Sequence, residues 1–180
     1  MNSWDEKYGA PGHYYGTEPN GFLHEHHSAI PAGGNVLCLA EGEGRNAVFL
    51  AQQGYRVVAV DQSPVGLRKA EILAAERGVQ IETVVADLAD YRIAPGHWDG
   101  IVSVWCHLPQ PLRINVHRQV VAGLRSGGAF LLEAYTPAQL AYDHECPVHG
   151  YAVLGRQGRL AGKAGRAPDH QPHRDGAAEP

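Results

Sequence analysis

The residues most able to do chemistry in this sequence are glycines and acids that follow short apolar runs. Gly42 and Gly44 come just after the run Val36–Leu39, with Glu41 beside them. Asp61 closes a second apolar run, at a distance of about 20 residues. Glycines let a ligand approach the backbone, and an acid at this spacing can accept hydrogen bonds from ribose hydroxyls. The pattern predicts a nucleotide-like ligand, with a purely structural turn as the alternative.

Two acids in the turn indicate which ligand it suits. Glu41 and Glu43 bracket Gly42. A dinucleotide would place its pyrophosphate at the start of the following helix, where N–H groups and the helix dipole favour anions. The two carboxylates would repel that group, and Arg45 would offset only part of the repulsion. S-adenosylmethionine carries a sulfonium and an ammonium but no phosphate, so the acidic turn favours it over NAD(P).

Three further apolar segments also end in polar or aromatic residues. Asp87 follows the third segment, Trp105 and His107 follow the fourth, and Glu133 and Tyr135 follow the fifth. The carboxyl ends of parallel strands form the ligand crevice of open α/β sheets, so we expect these residues to meet there. His107 is a candidate general base, the alternative being a strand-end histidine that hydrogen-bonds to the backbone.

The elements that position these residues alternate between strands and helices. The predicted strands are Val36–Leu39, Arg56–Val60, Val79–Ala86, Trp98–Trp105 and Ala129–Ala134. Apolar residues at helical spacing lie between them, including the predicted helices Val65–Arg77 and Leu112–Leu124. This alternation predicts an α/β fold with a Rossmann-like, doubly wound, mostly parallel sheet.

Length and composition exclude several classes of protein. The 180 residues support one domain, and the net charge of −4 argues against a nucleic-acid partner. No stretch approaches the ~20 apolar residues that span a bilayer, and the N-terminus does not resemble a signal peptide. Three irregularly spaced cysteines indicate a reduced, cytoplasmic protein. His24 and His27 share a helix face without a third ligand, so we predict a solvated face and no metal site.

The N-terminal segment, residues 1–31, is predicted to be a strap. It carries large aromatic side chains that favour burial, among them Trp4, Tyr8, Tyr14 and Tyr15. A short helix is predicted at Phe22–Ala29. The strap either packs on the core or forms a lid over the ligand. In the second case its aromatic rings would lie near the sulfonium of S-adenosylmethionine, the methyl donor, where cation–π contact is favourable.

Residues 1–142 resemble the class I S-adenosylmethionine-dependent methyltransferases. The chain looks like the small-molecule branch that contains the tellurite-resistance-type and thiopurine-type enzymes. The resemblance rests on the blocks YYGTEPNGFL (14–23), VLCLAEGEGRNAVFLAQQGYRVVAVDQS (36–63), VVADLADY (84–91), VSVWCHLP (102–109) and LRSGGAFLLEAYTP (124–137). It implies a methyltransferase domain at 1–142 that binds S-adenosylmethionine and methylates a small molecule.

The resemblance also implies roles for individual residues. The implied cofactor-binding residues are Glu41, Gly42, Gly44, Asp61, Gln62, Asp87, Leu88 and Ser103. In this scheme Asp61 holds the ribose hydroxyls, Asp87 accepts from the adenine amino group, and the Leu88 N–H meets the ring. Trp105 borders the reacting methyl, so Trp105 and His107 are the candidate catalytic residues. Cys38 and Ala40 replace an acid and a glycine of the family pattern, and Glu41 is the candidate substitute for that acid.

The acceptor decides how much chemistry the protein must supply. A thiolate or a selenium or tellurium oxyanion needs no general base, whereas a hydroxyl or an amine needs one, for which His107 is the candidate. The alternatives are an NAD(P)-binding oxidoreductase and a non-catalytic donor-binding or degenerate paralogue. Neither a nucleic acid nor a membrane is predicted as a partner, and the oligomeric state is left open.

The C-terminal residues 143–180 depart most from the family pattern. The resemblance implies two more strands beside strand five, one of them antiparallel. The tail is rich in Gly, Pro, Arg, His and Ala, and its one apolar cluster is Tyr151–Leu154. This composition predicts an irregular tail without the C-terminal hairpin. Phe130–Leu132 of strand five would then lie at an exposed sheet edge.

Overall fold

The computed structural model describes residues 3–135 and the strands at 148–155 and 160–166. The strands are β1 (Asn35–Leu39), β2 (Arg56–Asp61), β3 (Glu82–Val85), β4 (Trp98–Val104), β5 (Leu124–Tyr135), β6 (Val148–Gly155) and β7 (Leu160–Arg166). The helices are α1 (Ser3–Tyr8), α2 (Gly21–His26), α3 (Arg45–Gln52), α4 (Pro64–Glu76) and α5 (Gln110–Gly123), and a 3-10 turn at His27–Ala29 extends α2.

One sheet with the strand order β3-β2-β1-β4-β5-β6-β7 organises the molecule. The strands β1 to β5 are parallel, and β1 is paired on both sides, with β2 and with β4. Because side chains alternate along a strand, Val36 and Cys38 of β1 face one core cluster while Leu37 and Leu39 face another. The predicted Rossmann-like α/β fold is therefore confirmed.

Helices cover both faces of the sheet. Phe49 and Leu50 of α3 pack in the cluster on the Val36 side, and Val116 and Val120 of α5 pack in the cluster on the Leu37 side. Val116 and Val120 lie at i, i+4 spacing, which places both on the inward face of α5. The doubly wound arrangement directs the carboxyl ends of β1 to β5 toward one edge.

The N-terminal segment contains a helix that the sequence analysis does not predict. Ser3–Tyr8 forms α1, with Asp5 and Glu6 in its first turn and Lys7 in its last. Acids near the start and a base near the end of a helix are favourable to its dipole. Tyr8 is buried, so the strap is anchored at this point.

The prediction that the C-terminal hairpin is missing is wrong. β6 pairs antiparallel with β5 from Tyr135↔His149 to Ala129↔Gly155, and β7 pairs antiparallel with β6. The physical reason is that ladder hydrogen bonds use the backbone, so a segment rich in Gly and Ala can still extend a sheet. Strand β5 is therefore not an edge, and the rest of the predicted irregular tail lies outside the described residues.

Candidate functional site

The glycine turn between β1 and α3 has an unusual backbone. Gly42 and Gly44 have φ values of 64° and 88°, and Ala40 has a φ of 51°. Residues that carry a Cβ rarely adopt this left-handed backbone conformation, so glycine is favourable there and alanine is strained. Ala40, where the family pattern has glycine, keeps the glycine-like conformation. A Cβ on Gly42 would lie 2.5 Å from the Tyr8 hydroxyl, so α1 lies directly against the turn.

Asp61 ties the end of β2 to this turn. Its Oδ2 accepts a hydrogen bond from the Gly42 N–H at 2.9 Å, and its Oδ1 accepts one from the Ser63 N–H at 2.8 Å. Burial raises the pKa of Asp61, although the two N–H donors oppose the rise. Each carboxylate oxygen has a second lone pair, so both can still accept from a ribose hydroxyl. The ribose role of Asp61 stays a prediction that this geometry supports.

Glu41 caps the first turn of α3. Its Oε1 accepts from the backbone N–H groups of Asn46 and Ala47, at 3.0 and 2.8 Å. Burial raises the pKa of Glu41 to about 7, against the lowering effect of these bonds and of Arg45. Burial, and next the nearby Glu41, raise the pKa of the Cys38 thiol. The predicted contact of Glu41 with the donor's ammonium stays a prediction, because one carboxylate oxygen is already engaged with the helix.

The remaining predicted cofactor residues lie at the ends of neighbouring strands. Asp87 is exposed, and its Oδ1 accepts from the Ala89 N–H at 2.8 Å. The Ala86 N–H donates to the Asp61 backbone oxygen at 2.9 Å, which brings the ends of β2 and β3 together. Gln62 is exposed, whereas Leu88 and Ser103 are buried. These residues share one edge of the sheet, and their contacts with a donor stay predictions.

The rings of Trp105, His107 and Tyr135 form a cluster at the carboxyl ends of β4 and β5. Trp105 has a φ of 56°, and its N–H donates to the Glu133 backbone oxygen at 3.0 Å. The His107 ring is stacked on the Tyr135 ring, with 5.1 Å between centroids and 4° between planes, and the Trp105 ring lies 4.8 Å from Tyr135. A bulky residue at positive φ is a rare strain that often accompanies a functional site.

Two titratable groups beside this cluster are uncharged near neutral pH. Burial lowers the pKa of His107, so the imidazole is neutral at pH 7 and has a lone pair to accept a proton. Burial raises the pKa of the Cys106 thiol to about 11, so it stays protonated and is a poor nucleophile. His107 is thus chemically able to act as a base, which stays a prediction.

The strap passes over the glycine turn and reaches the end of β5. The Tyr14 N–H donates to Glu43 Oε2 at 2.6 Å, and Arg45 Nη1 donates to the Tyr15 backbone oxygen at 3.2 Å. Asn20 Nδ2 donates to Glu133 Oε2 at 2.6 Å. The strap therefore satisfies the geometric condition for a lid, which is proximity to the turn.

Several of these tertiary partners are not predicted by the sequence. Asn20 is a hub, because its N–H also donates to Asn46 Oδ1 at 2.9 Å and its own Oδ1 accepts from the Leu23 N–H at 3.0 Å. Arg45 lies near Glu41 and Glu133, which favour its charge while burial lowers its pKa. An asparagine before a helix is a capping signal, but nothing local in the sequence indicates its partners on α3 and β5.

The histidine-rich helix α2 contacts the core. The His24 and His27 rings lie 5.3 and 5.2 Å from the Phe49 ring. His24 is exposed and His27 is half-buried, so the predicted solvated face is only partly solvated. Among the described residues no group of three or more His, Cys, Asp and Glu is arranged to hold a metal ion. No helix in that part of the chain is long and apolar enough to cross a bilayer.

Comparison with known families identifies the domain. Residues 36–128, just over half of the chain, match the family profile described as a methyltransferase domain. The chain belongs to this family. S-adenosylmethionine is the cofactor that accompanies it. The matched part of this methyltransferase domain runs from β1 into β5 and contains the glycine turn, Asp61, Asp87 and the residues that follow β4.

Curated relatives of the methyltransferase domain include two enzymes with named reactions. The chain is 27% identical over 117 residues to the 2-heptyl-1-hydroxyquinolin-4(1H)-one methyltransferase of Mycobacteroides abscessus, covering 63% of this chain and 52% of that protein. It is 30% identical over 116 residues to the ubiquinone biosynthesis O-methyltransferase of Xanthomonas axonopodis pv. citri, covering 62% and 48%. The chain spans about half the length of these relatives.

Solved structures share the fold. A TehB-like SAM-dependent methyltransferase from Corynebacterium glutamicum superposes with a TM-score of 0.57 and 23% identity, covering 65% of this chain and 63% of that one. Another S-adenosylmethionine-dependent methyltransferase, from Mesorhizobium loti, superposes with a TM-score of 0.57 and 22% identity, covering 66% and 55%. At these identities the likeness shows the architecture of the methyltransferase domain alone.

Proposed function

We propose that the protein transfers the methyl group of S-adenosylmethionine to a small-molecule acceptor. The observation that carries the proposal is the buried Asp61 carboxylate, which holds Gly42 of the family's glycine turn and closes β2 at the same edge of the sheet. The NAD(P) alternative is not favoured, because the matched family is a methyltransferase domain.

The residues present fit the cofactor. Bound S-adenosylmethionine supplies an electrophilic methyl group, and methyl transfer is an in-line displacement at carbon. The chain's part is to bind and orient: Asp61 accepts from the ribose hydroxyls, and Asp87, exposed beside it, accepts from the adenine amino group. Positioning of the two reactants can account for most of the rate, since effective molarities of ~10⁵ M or more are possible. Trp105 and its neighbours form the wall on the acceptor side.

We propose two classes of acceptor. The resemblance to the tellurite-resistance-type and thiopurine-type branch suggests a thiol or a selenium or tellurium oxyanion, which His107 need not deprotonate. The names of the two curated relatives suggest hydroxyl acceptors, for which a neutral His107 would take the proton. A panel of thiols, phenols, selenite and tellurite, assayed by formation of S-adenosylhomocysteine, separates the classes, and only hydroxyl acceptors should lose rate in His107→Gln.

The cofactor assignment is tested by substituting Asp61. We expect Asp61→Ala to weaken S-adenosylmethionine binding by ~1–3 kcal/mol, because charge-assisted hydrogen bonds to the ribose are lost. Isothermal titration calorimetry measures the change. Asp90→Ala, which alters an exposed acid beyond Asp87, is the matched control and should bind as the unmodified protein does. Equal affinity of the Asp61 variant and the control would remove Asp61 from the site.

A further inference from the structure

Glu43 of the glycine turn is buried and has two partners outside the turn. The residue is only 5% exposed. Its Oε1 lies 2.8 Å from Lys69 Nζ on α4, and its Oε2 accepts from the Tyr14 N–H of the strap at 2.6 Å. A buried carboxylate of this kind is stable only when it is paired and hydrogen-bonded, and both conditions are met here. The side chain of Glu43 therefore joins the turn, the strap and α4.

Lys69, the partner of Glu43, also binds the same part of the strap directly. Its Nζ donates to the backbone oxygens of Ala10 at 2.8 Å and Gly12 at 2.5 Å, in addition to Glu43. An ammonium group has three donors, so these partners use all of them. One ion pair thus fixes the strap at three backbone positions within a five-residue stretch.

Polar bonds, rather than apolar burial, hold this stretch of the strap in place. Residues 9–20 contain no regular helix or strand, and the Tyr14 and Tyr15 side chains are 56% and 47% exposed. Gly12 and Gly16, with φ values of 78° and 71°, flank the tyrosine pair, and glycine is the residue type with the widest range of backbone conformations. A segment with little buried apolar area, held by polar bonds near solvent, is one that opens locally, without global unfolding.

The strap lies over the glycine turn, so local opening of residues 9–20 would affect a ligand bound there. Tyr8 lies against Gly42 and Gly66, and the Asp5 carboxylate accepts a hydrogen bond from Ser63 Oγ at 2.6 Å. The strap therefore covers the turn where the proposed function places the donor. A ligand bound between the turn and the strap would therefore exchange faster when the strap moves away.

We propose that Glu43 and Lys69 form a clamp that keeps residues 9–20 closed over the donor, and that Glu43 is a positioning residue that sets the rate of donor exchange. The ligand in this inference rests on the proposed function, whereas the clamp itself is a property of the ligand-free chain. Glu43 acts through the strap and does not need to touch the donor. This assigns to the second acid of the turn a role different from that of Glu41.

Limited proteolysis of the ligand-free protein tests the clamp directly. Chymotrypsin cleaves after exposed tyrosines, and Tyr14 and Tyr15 lie in the clamped stretch. Glu43→Gln keeps an acceptor for the Tyr14 N–H and removes the charge opposite Lys69, and Lys69→Met removes the ammonium. We expect each variant to accelerate cleavage at Tyr14 and Tyr15 by about tenfold, because cleavage follows the population of the open strap. The double variant should be no faster, because both substitutions open one clamp.

Donor kinetics provide the second measurement. We expect S-adenosylmethionine to dissociate about tenfold faster from Glu43→Gln in stopped-flow experiments, with a smaller change in the association rate. Glu18→Gln is the matched control, because Glu18 belongs to the strap and pairs with Arg77 at 3.3 Å, but its side chain is 82% exposed. Such exposed pairs contribute little, so this control should match the unmodified protein in both measurements.

The outcomes separate the clamp from the proposed function. Unchanged cleavage at Tyr14 and Tyr15 in both Glu43→Gln and Lys69→Met would overturn the clamp. Cleavage that accelerates equally at Phe130 in the core would overturn it as well, because it would report global destabilisation. If the unmodified protein binds no S-adenosylmethionine, the proposed function fails, while the proteolysis still decides on the clamp. Faster cleavage with an unchanged donor dissociation rate would overturn the role in donor exchange.

Discussion

The two acids of the glycine turn differ in what their carboxylates contact. Glu41 accepts from two N–H groups of α3, whereas Glu43 pairs with Lys69 and the strap. Lys69 compensates the charge of Glu43, so the turn repels an anion less than its sequence suggests. The preference for S-adenosylmethionine over a dinucleotide therefore rests on the family match more than on the charge of the turn.

The raised pKa of Glu41 predicts a pH-dependent stability. The folded chain holds a proton on Glu41 up to about pH 7, whereas the unfolded chain releases it near the ordinary value of 4.5. The folded state therefore binds more protons in this window, and the free energy of unfolding falls as pH rises through it. Glu41→Gln keeps an acceptor for α3 and cannot ionise. We expect its free energy of unfolding, relative to the unmodified protein, to increase by up to about 3 kcal/mol between pH 4.5 and pH 8.

Urea unfolding at several pH values measures this difference. Titrating groups remote from Glu41 are present in both proteins, so their contributions cancel when the two free energies are subtracted, whereas Asp61 is coupled to Glu41 and forms part of the measured difference. Gln80→Asn, an exposed substitution that changes no ionisable group, is the control and should give a difference that does not vary with pH. A constant difference for Glu41→Gln as well would show that Glu41 ionises normally in the folded protein.

At the scale of residues, the sequence predicts where a residue lies in its strand better than which distant residues it contacts. The apolar runs before Asp61 and Asp87 predict that both acids lie at strand ends, and the structure has them there. Partners such as Tyr14 and Lys69 lie 29 and 26 residues from Glu43, and no local pattern links them. Those contacts depend on how helices and the strap pack on the sheet, which hydrophobic periodicity does not specify.

At the scale of elements, the turn matters because it sets how α3 meets α4. Gly44 is the N-cap of α3 with a φ of 88°, and a Cβ there would collide with Ala70 of α4. Gly54, just beyond the end of α3, has the same φ of 88° but open space around it. An alanine at Gly54 would therefore experience only the strain of the left-handed conformation. An alanine at Gly44 would experience the same strain and, in addition, the clash between α3 and α4.

We expect Gly44→Ala to be much more destabilising than Gly54→Ala. The left-handed conformation alone costs an alanine about 1–2 kcal/mol, which is the whole effect expected at Gly54. At Gly44 the collision with Ala70 adds about 1–3 kcal/mol, since overpacking forces backbone shifts. Thermal or urea unfolding of both variants measures the two costs. Equal losses in the two variants would mean that α3 and α4 do not approach each other as described.

Element prediction succeeded where apolar runs had clear ends. The sequence predicts β1, β2 and β4 to within one residue, because a glycine turn, an acid and an aromatic–polar segment follow these three runs respectively. The predicted third strand, Val79–Ala86, is shortened to Glu82–Val85, since Val79 and Ile81 pack against the α3–α4 cluster before the strand begins. Helix α1 was missed because six residues are too few to show a period.

At the scale of the whole molecule, the sheet is larger than the sequence analysis predicts. The sequence gives five parallel strands, and the structure adds β6 and β7 in antiparallel pairing. Residues 148–166 contain many glycines and alanines, so the period-2 alternation that predicts strands is weak. The edge strands are β3 and β7, and the apolar residues Phe130–Leu132 of β5 lie in the interior of the sheet.

This pairing predicts the effect of shortening the chain. A chain that ends at Tyr142 keeps β5 but loses β6, which pairs with seven consecutive residues of β5. We expect it to lose at least about 3 kcal/mol of stability, because a ladder of backbone hydrogen bonds is removed at roughly 1 kcal/mol each. We also expect it to self-associate, because an exposed apolar strand pairs with other chains. A chain that ends at Arg166 keeps both β6 and β7 and is the matched control. Urea unfolding and sedimentation velocity compare both with the full chain, and a 1–142 chain that matches it in both would contradict the pairing of β5 with β6.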